Sequence, residues 1–378
     1  MASTKITRTF GTPTSRQIGT FSFWMKLSDT NNNGIITNFG DANNRAILYL
    51  ASSQLKFYDA AAGDNPYSSR KLRDLNAWYH IVLRIDTTQA TAADRCRIYI
   101  NGEQESLTNT AYVQDEHSYM FNTNTSLTIG RDESSSAGTD YFDGSLSHFY
   151  YCDGQSYAPT VFGSTDSTTG NWKINTSPSV TYGNQGFLIL KDGNTITDQS
   201  SNSNDFSVGA GTLTKTEDNP SNVFATLNRL YTFDGSLTYT KGNTVVADSG
   251  GADSWTTRYA ISSLGMTTGK YYAETKIANI GSNQMYVMGI ISEPSATAIS
   301  SSLGYQSNAY GYYTADGRII AGASDLQTGI GTATTNDIVG CAFDADNGTL
   351  QLYKNGSAIG SQVTGISVGD RTWHFVSD

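Results

Sequence analysis

Charged side chains are scarce in this 378-residue sequence, and the basic ones are scarcer than the acidic ones. Only 15% of the residues are Asp, Glu, Lys or Arg, and 24 basic residues against 34 acidic ones give a formal net charge of −10. Recognition of a nucleic-acid backbone needs lysines and arginines clustered on one face, and no long basic run is present. The composition therefore argues against a nucleic acid as partner.

Long apolar runs are also missing. No segment is apolar over the length that spans a bilayer, so no membrane insertion is expected. The opening residues, MASTKITRTFGT, lack the apolar core of a secretion signal. A polar protein without such a signal is expected to be made in a host cytoplasm and released by another route, such as assembly into a virus particle followed by lysis.

Cysteine is limited to three widely separated residues, Cys96, Cys152 and Cys341. The spacing excludes a C-x-x-C metal motif, and an odd number leaves at least one thiol unpaired. Cys96 and Cys341 lie in apolar, strand-like runs, which predicts that they are small core residues.

Helical periodicity is absent, and short segments that alternate apolar and polar residues take its place. Four examples are FSFWMKL, WYHIVLRID, KYYAETKI and TLQLYKNG, at residues 21–27, 78–86, 270–277 and 349–356. Asn-Gly pairs such as Asn101-Gly102 and Asn355-Gly356 punctuate these runs, and both residues of such a pair tolerate the positive φ of a type I′ hairpin turn. The pattern predicts an all-β protein of antiparallel sandwiches.

The pentapeptide FDGSL occurs twice, at residues 142–146 and 233–237. The flanking strand patterns do not align at a common offset, so the copies do not mark a tandem repeat. We interpret them as the same hairpin corner, with Phe and Leu pointing inward, used in two different sandwiches. The length of the chain likewise favours two domains.

The first half resembles the concanavalin-A-like, laminin-G-type jelly roll. The resemblance rests on FSFWMKL, AWYHIVLRID, RIYINGE, SLTIGR and YFDGSLSHFYYCDGQSY, in that order. Together with FGSTDSTTGNW and DQSSNSNDFSV (residues 162–172 and 198–208), the first 225 residues or so look like long structural proteins of marine bacteriophages.

From residue 270 onward the chain resembles a SPRY domain, through TTGKYYAETKI, VMGI, YGYYTADGR, DIVGCAFDADNGTLQLYKNG and WHFVSD. The Gly-Asp that the family places before this long element is Asn336-Asp337 here. We predict a jelly roll at residues 1–160, a polar connector with extra strands packing on it at 161–229, and a SPRY-like domain at 230–378. The family pattern has a further strand, so the last domain is expected to be incomplete, with an unpaired edge beside Trp373 and Phe375.

Catalysis is not expected. Glucanases of this superfamily align acidic residues on one strand face, in an E-x-D-x-E-like alternation, and no such run is present. His80 and His148 lie in apolar strands, where a hydrogen-bonded structural histidine is the simpler interpretation.

Calcium is the metal that the resemblance implies, because related jelly rolls bind it at the sandwich rim through several oxygen ligands. The candidate ligands are Asp41, Asp132, Asp140 and Asp143. Turn formation is the alternative role for Asp41 and Asp143.

Sugar sites combine an aromatic platform with amide and carboxylate groups on loops. Loops that suit a glycan contain Asn31, Asn32, Asn122, Asn124, Tyr305, Asn308 and Tyr310. Connector loops and packed strand tyrosines are the alternative interpretation. Trp24 and Trp78 are expected in the core, and Trp172 and Trp255 at the surface.

The resemblance implies a non-enzymatic surface component of a virus particle, such as a fibre, spike or appendage. Its expected partners are other virion subunits, further copies of itself in a homotrimer, and a polysaccharide of the bacterial surface. A bacterial adhesin is one alternative, although an adhesin should have a secretion signal. A carbohydrate-active enzyme using the jelly-roll cleft is the other, and it should have paired carboxylates.

Overall fold

The computed structural model describes residues 3–30, 33–63, 66–108, 112–134, 140–231, 237–248, 259–280, 286–292 and 303–377. The chain forms two compact units. The first comprises Met1–Phe224 with Thr240–Gly242, and the second comprises Ala225–Tyr239 with Asn243–Asp378. No helix within the described ranges is long and apolar enough to cross a bilayer.

The described residues of the first unit form sixteen strands and three short 3₁₀ turns. The strands are β1 (Lys5–Thr9), β2 (Ile18–Leu27), β3 (Asn33–Asp41), β4 (Asn44–Ala51), β5 (Gln54–Asp59), β6 (Tyr67–Ser68), β7 (Trp78–Asp86), β8 (Cys96–Ile100), β9 (Glu103–Gln104), β10 (Leu107–Thr108), β11 (Ser126–Ile129), β12 (Gly144–Asp153), β13 (Gly163–Thr165), β14 (Trp172–Ile174), β15 (Phe187–Ile189) and β16 (Ser207–Ala210). The turns are Ala92–Asp94, Tyr119–Phe121 and Pro159–Val161.

Two antiparallel sheets face each other in this unit. One has the order β10-β6-β5-β4-β3-β11-β1-β16, and the other has the order β15-β12-β2-β7-β8-β9. Strand alternation sends Phe21, Phe23 and Met25 of β2 into the core between the sheets. The predicted sandwich is therefore confirmed.

The outer face of the six-stranded sheet is covered as well. Val82, Tyr99, Tyr150 and Cys152 point outward from it and pack with Phe162 in a second apolar cluster. This cover explains why every residue of β2 except Ile18 is buried.

The later strands form the second sandwich and one small hairpin. They are β17 (Leu237–Thr240), β18 (Val245–Asp248), β19 (Ala260–Ile261), β20 (Lys270–Lys276), β21 (Val287–Ser292), β22 (Ala309–Tyr313), β23 (Arg318–Ala321), β24 (Ser324–Gln327), β25 (Ile338–Asp344), β26 (Thr349–Lys354), β27 (Ser357–Val363) and β28 (Trp373–Ser377). A sheet with the order β19-β28-β21-β22-β23-β24 packs on one with the order β20-β25-β26-β27, and β17 pairs with β18.

Turn chemistry agrees with the sequence at two hairpins. Asn101 and Gly102 have φ values of 50° and 82°, and Asn355 and Gly356 have 49° and 78°. Both residues of each pair have the left-handed backbone conformation that a type I′ turn requires.

All three cysteines are free and buried, so the prediction for Cys96 and Cys341 is confirmed.

The expectation of an unpaired edge beside Trp373 is wrong. Strand β28 pairs with β19 on one side and with β21 on the other, so it is an internal strand of its sheet. Trp373 is only 2% exposed, and its ring centroid lies 5.4 Å from that of Phe343. Non-local pairing, which sequence periodicity does not encode, places this strand in the sheet interior.

The first FDGSL copy is not a hairpin corner. Gly144 is the first residue of β12 and pairs with Leu27 of β2, which lies far away in sequence. A Cβ on Gly144 would lie 2.2 Å from the carbonyl oxygen of Lys26, so glycine is required by close strand approach. Phe142 is buried and Leu146 packs on the core, as expected. Most of the second copy lies outside the described residues.

Candidate functional site

A cleft of about 700 Å³ opens in the first unit, and every residue lining it belongs to that unit. Its walls are residues 4–6 of the β1 region, residues 142–148 at the start of β12, the loop 190–194 after β15, and most of the segment 212–221. This volume lies within the range of small-molecule binding sites, about 300–1,000 Å³.

A buried ion pair supports one wall of the cleft. Lys26 Nζ donates to Asp218 Oδ2 over 2.9 Å, and Trp78 Nε1 donates to the same oxygen over 3.0 Å. Asp218 Oδ1 accepts from the Phe224 backbone N–H over 2.9 Å. Lys26 and Trp78 are paired neighbours on β2 and β7, so the sheet register places both donors opposite the 212–221 segment. Burial of this charge is tolerated because three donors satisfy the carboxylate.

A β-bulge shapes the second wall. The register of β12 against β2 shifts between Ser147 and Tyr150, and His148 has a φ of 48°. The bulge turns Ser147 and His148 toward the cleft, with His148 Nδ1 2.8 Å from Ser147 Oγ. The backbone N–H of His148 donates to the Leu190 carbonyl over 3.0 Å. This hydrogen bond holds the loop that follows β15 beside the bulge.

His148 is neutral at physiological pH. Its pKa is lowered to about 4, mainly by burial and also by nearby Lys191, while Asp192 acts in the opposite direction. The cleft therefore offers an uncharged imidazole beside a serine hydroxyl.

The same sheet face has a stack of three aromatic rings. The His80 ring centroid lies 5.0 Å from that of Trp24 and 5.9 Å from that of Trp172. Trp172 Nε1 donates to His80 Nδ1 over 3.0 Å, so Nδ1 carries no proton and Nε2–H donates to Ser22 Oγ at 2.9 Å. Burial lowers the pKa of His80 to about 3.

The predictions for the four tryptophans have different outcomes. Trp24 and Trp78 are buried, as expected. Trp172 is half-buried by its stacking on His80, so the surface position expected for it is only partly correct. Trp255 lies outside the described residues.

Outward positions of the central strands carry no carboxylate along most of their length. On β2 they are Thr20, Ser22, Trp24 and Lys26, and on β7 from residue 78 to 84 they are Trp78, His80, Val82 and Arg84. These positions of β2 and β7 therefore contribute no carboxylate to an acid–base pair.

Of the glycan residues predicted in the first unit, Asn122 and Asn124 lie in the turn that precedes β11. Asn122 accepts from Arg16 Nη2 over 2.9 Å, and the Asn124 N–H donates to the Phe10 carbonyl over 2.9 Å. Asn31 and Asn32 lie outside the described residues. Asn122 and Asn124 do not line the cleft.

The other glycan predictions lie in the second unit. Tyr305 is 44% exposed, whereas Tyr310 packs with its ring centroid 6.0 Å from that of Trp373. The side-chain amide of Asn308 donates to the Ser292 carbonyl. Of these three, Tyr305 has the most exposed side chain, and the five described residues are not assembled into one site within either unit.

The four aspartates proposed for calcium are not brought together as one set. The Asp132 N–H donates to the Asp140 carbonyl over 3.0 Å, and Gly34 packs against Asp132. Asp41 lies at the far end of β3, roughly 23 Å from Gly34 at about 3.3 Å per residue. Asp143 lines the cleft.

Asp41 stabilises the turn in which it lies. It accepts from the Asn44 side chain and the Asn43 N–H, and these hydrogen bonds lower its pKa. Within the described ranges, no three His, Cys, Asp or Glu side chains are grouped closely enough to hold a metal ion. Calcium binding by Asp41, Asp132, Asp140 and Asp143 is not tested by these contacts and stays a prediction.

Sequence reasoning missed most residues of the cleft. Lys26 had a usable signal, because it is the one charged residue in the apolar run FSFWMKL. Asp218 and His148 had none, since the first lies in a polar connector and the second depends on a register shift.

Comparisons with known families agree with this architecture. A family model described as the concanavalin A-like lectin/glucanases superfamily matches residues 4–155, and a SPRY domain model matches residues 270–368.

Several solved structures are similar to parts of this chain. A candidate carbohydrate binding protein from Bacteroides ovatus is 16% identical over 59% of this chain and 63% of its own, with a TM-score of 0.41. A heptameric SAP-like pentraxin from Limulus polyphemus is 13% identical over 48% and 89%, with a TM-score of 0.34. The SPRY domain of human HERC1 is 18% identical over 32% and 72%, with a TM-score of 0.28.

Proposed function

We propose that this chain, which carries a concanavalin-like domain followed by a SPRY domain, is a non-enzymatic carbohydrate-binding protein of a virus particle surface. It attaches the particle to a glycan of the bacterial surface. The observation that carries the binding proposal is the 700 Å³ cleft of the first unit.

The chemistry of the cleft suits a sugar. Hydroxyl and amide side chains dominate its polar lining, including Ser145, Ser147, Asn194, Thr214 and Asn219. A sugar ring needs such donors and acceptors for its hydroxyl groups and an apolar surface for its C–H face. Phe142, Leu146 and Leu190 supply apolar lining.

Two features support a binding role over a catalytic one. The outward positions of β2, and those of β7 from residue 78 to 84, lack carboxylates. Asp218 is committed to three donors, so its lone pairs are engaged in holding the 212–221 segment. A general acid or base needs a carboxyl group free to exchange a proton with substrate.

The virion assignment rests on the resemblance of the first 225 residues to structural proteins of marine bacteriophages. Other virion subunits, and further copies of this chain in a homotrimer, would be its assembly partners. Labelling an epitope tag on this chain in intact particles by electron microscopy tests the assignment, and a signal confined to host membranes would instead favour the adhesin alternative.

The binding proposal is tested by filling the cleft. Thr214 is an exposed lining residue, so Thr214→Trp should block the cleft while leaving the core unchanged. Thr168→Trp makes the same chemical change at an exposed position of the same unit outside the cleft. On an array of bacterial oligosaccharides, Thr214→Trp should lose at least tenfold in affinity for every sugar that the unsubstituted protein binds, and Thr168→Trp should lose none.

Two other results would contradict the proposal. Equal binding by both variants would move the site away from the cleft, and Tyr305→Ala and Asn124→Ala would then test the loops predicted from sequence. Release of new reducing ends from a bound oligosaccharide would show catalysis.

A further inference from the structure

We infer that the cleft selects uncharged sugar residues and disfavours uronic, sulfated and phosphorylated ones. This inference rests on the proposed carbohydrate-binding function and names the class of ligand that the same site would take.

The first argument is the absence of a guanidinium group. Arginine recognises carboxylate, sulfate and phosphate groups because its planar fork donates two parallel hydrogen bonds. No arginine is present among the described residues that line the cleft. An anionic sugar would thus enter without the residue best suited to bind it.

The second argument is charge balance. The lining holds four lysines and four carboxylates, which are Lys5, Lys191, Lys215, Lys241, Asp143, Asp192, Glu217 and Asp218. Ion pairs within or beside the lining include Lys5 with Glu133, Lys215 with Glu217, and Asp218 with Lys26. A balanced lining creates no field of one sign that would attract a polyanion.

The third argument concerns the bulge. Among the described lining residues His148 is the one histidine, and it is 5% exposed and neutral above a pH of about 4. It contributes a polar group at the wall without a positive charge. Ser145, Thr176 and Thr214 add uncharged hydroxyl groups, which donate and accept hydrogen bonds as sugar hydroxyls do.

The test compares one polymer in two charge states on the whole protein. Polysaccharide purified from bacterial surfaces is divided, and its uronic carboxyl groups are reduced to alcohols in one half. Affinity is measured at 50 and 500 mM NaCl, and the oligosaccharide array is sorted by charge. We expect array hits among neutral sugars, equal or tighter binding of the reduced polymer, and less than a twofold change with salt.

Failure of the neutral-sugar preference and failure of carbohydrate binding itself would give different results. Hits confined to acidic sugars, weakened by salt and abolished by Thr214→Trp, would overturn the neutral preference while leaving carbohydrate binding intact. No binding to any sugar would overturn both. Thr214→Arg supplies a positive control, since a guanidinium placed in the cleft should raise affinity for uronic sugars at least fivefold.

Discussion

The Nζ atom of Lys26 lies 2.9 Å from Oδ2 of Asp218, and the pair joins segments 192 residues apart in the chain. The two side chains are 1% and 5% exposed. The segment that carries Asp218 is thereby fixed to the sheet and becomes a wall of the cleft.

Removing the ammonium group of this pair should strongly destabilise the first unit. Lys26→Met leaves Asp218 buried with one donor fewer, and the free energy of unfolding should fall by about 3–5 kcal/mol. Urea denaturation measures the change. The double variant Lys26→Met with Asp218→Asn should lose less than the sum of the single losses, because the unpaired charge is gone.

An exposed ion pair of the same unit provides the control. Lys173 and Asp166 are 2.6 Å apart, and the lysine side chain is 60% exposed. Lys173→Met should therefore cost less than about 1 kcal/mol. Equal losses at Lys26 and Lys173 would contradict the buried role of Asp218.

The low pKa of His80 predicts a loss of stability in acid. The imidazole has a pKa of about 3 when folded, against 6.5 when unfolded, so the unfolded chain binds the extra proton between these values. The free energy of unfolding should decrease as pH falls below about 6, by up to about 1.4 kcal/mol per pH unit from this group. His80→Gln should flatten the pH dependence measured by urea denaturation between pH 7 and 4.

A separate measurement checks the tautomer. In ¹⁵N-edited NMR spectra, His80 should be protonated at Nε2 alone, since Trp172 donates to Nδ1. Parallel pH curves for the two proteins, or a proton on Nδ1, would contradict the assigned environment.

Replacement of two glycines of the second unit by alanine should have very different effects on its stability. A Cβ on Gly289 would lie 1.8 Å from the Tyr310 carbonyl oxygen, whereas a Cβ on Gly340 would meet the Tyr272 hydroxyl at 2.3 Å. The Tyr310 carbonyl belongs to the paired strand β22, but the Tyr272 side chain is 51% exposed and can rotate away. Gly289→Ala should cost about 3 kcal/mol or more, and Gly340→Ala less than about 1 kcal/mol.

Amide hydrogen exchange measures the effect of each alanine substitution strand by strand. Gly289→Ala should raise the exchange rates of amides in β21, β22 and β28 and leave those of β2 and β7 unchanged. Similar protection in both alanine variants would show that β21 and β22 can separate at little cost.

The internal position of β28 predicts a large loss for Trp373→Ala. This ring packs against Phe343 and Tyr310 in the core of the second unit, so its removal should cost about 3–5 kcal/mol. Tyr305→Ala removes an aromatic ring that is 44% exposed and should cost less than about 1 kcal/mol. Comparable losses in thermal denaturation would contradict a buried, doubly paired β28.

Several features of the protein were predictable because they depend on neighbours in sequence. Alternation of apolar residues set the inward faces of strands such as β2, and Asn355-Gly356 set a hairpin turn, since both are local properties of the backbone. Cys96 and Cys341 were identifiable as core residues from the apolar strands that contain them.

The tertiary structure alone decided which strands pair and what covers their outer faces. Period-2 alternation gives Lys26 an outward position, where it is buried in an ion pair with Asp218 of the remote 212–221 segment. His148 reaches the cleft through a register shift between β12 and β2, and β28 is internal because β19 and β21 flank it. Each of these depends on contacts between residues far apart in the chain, whose partners a local pattern does not specify.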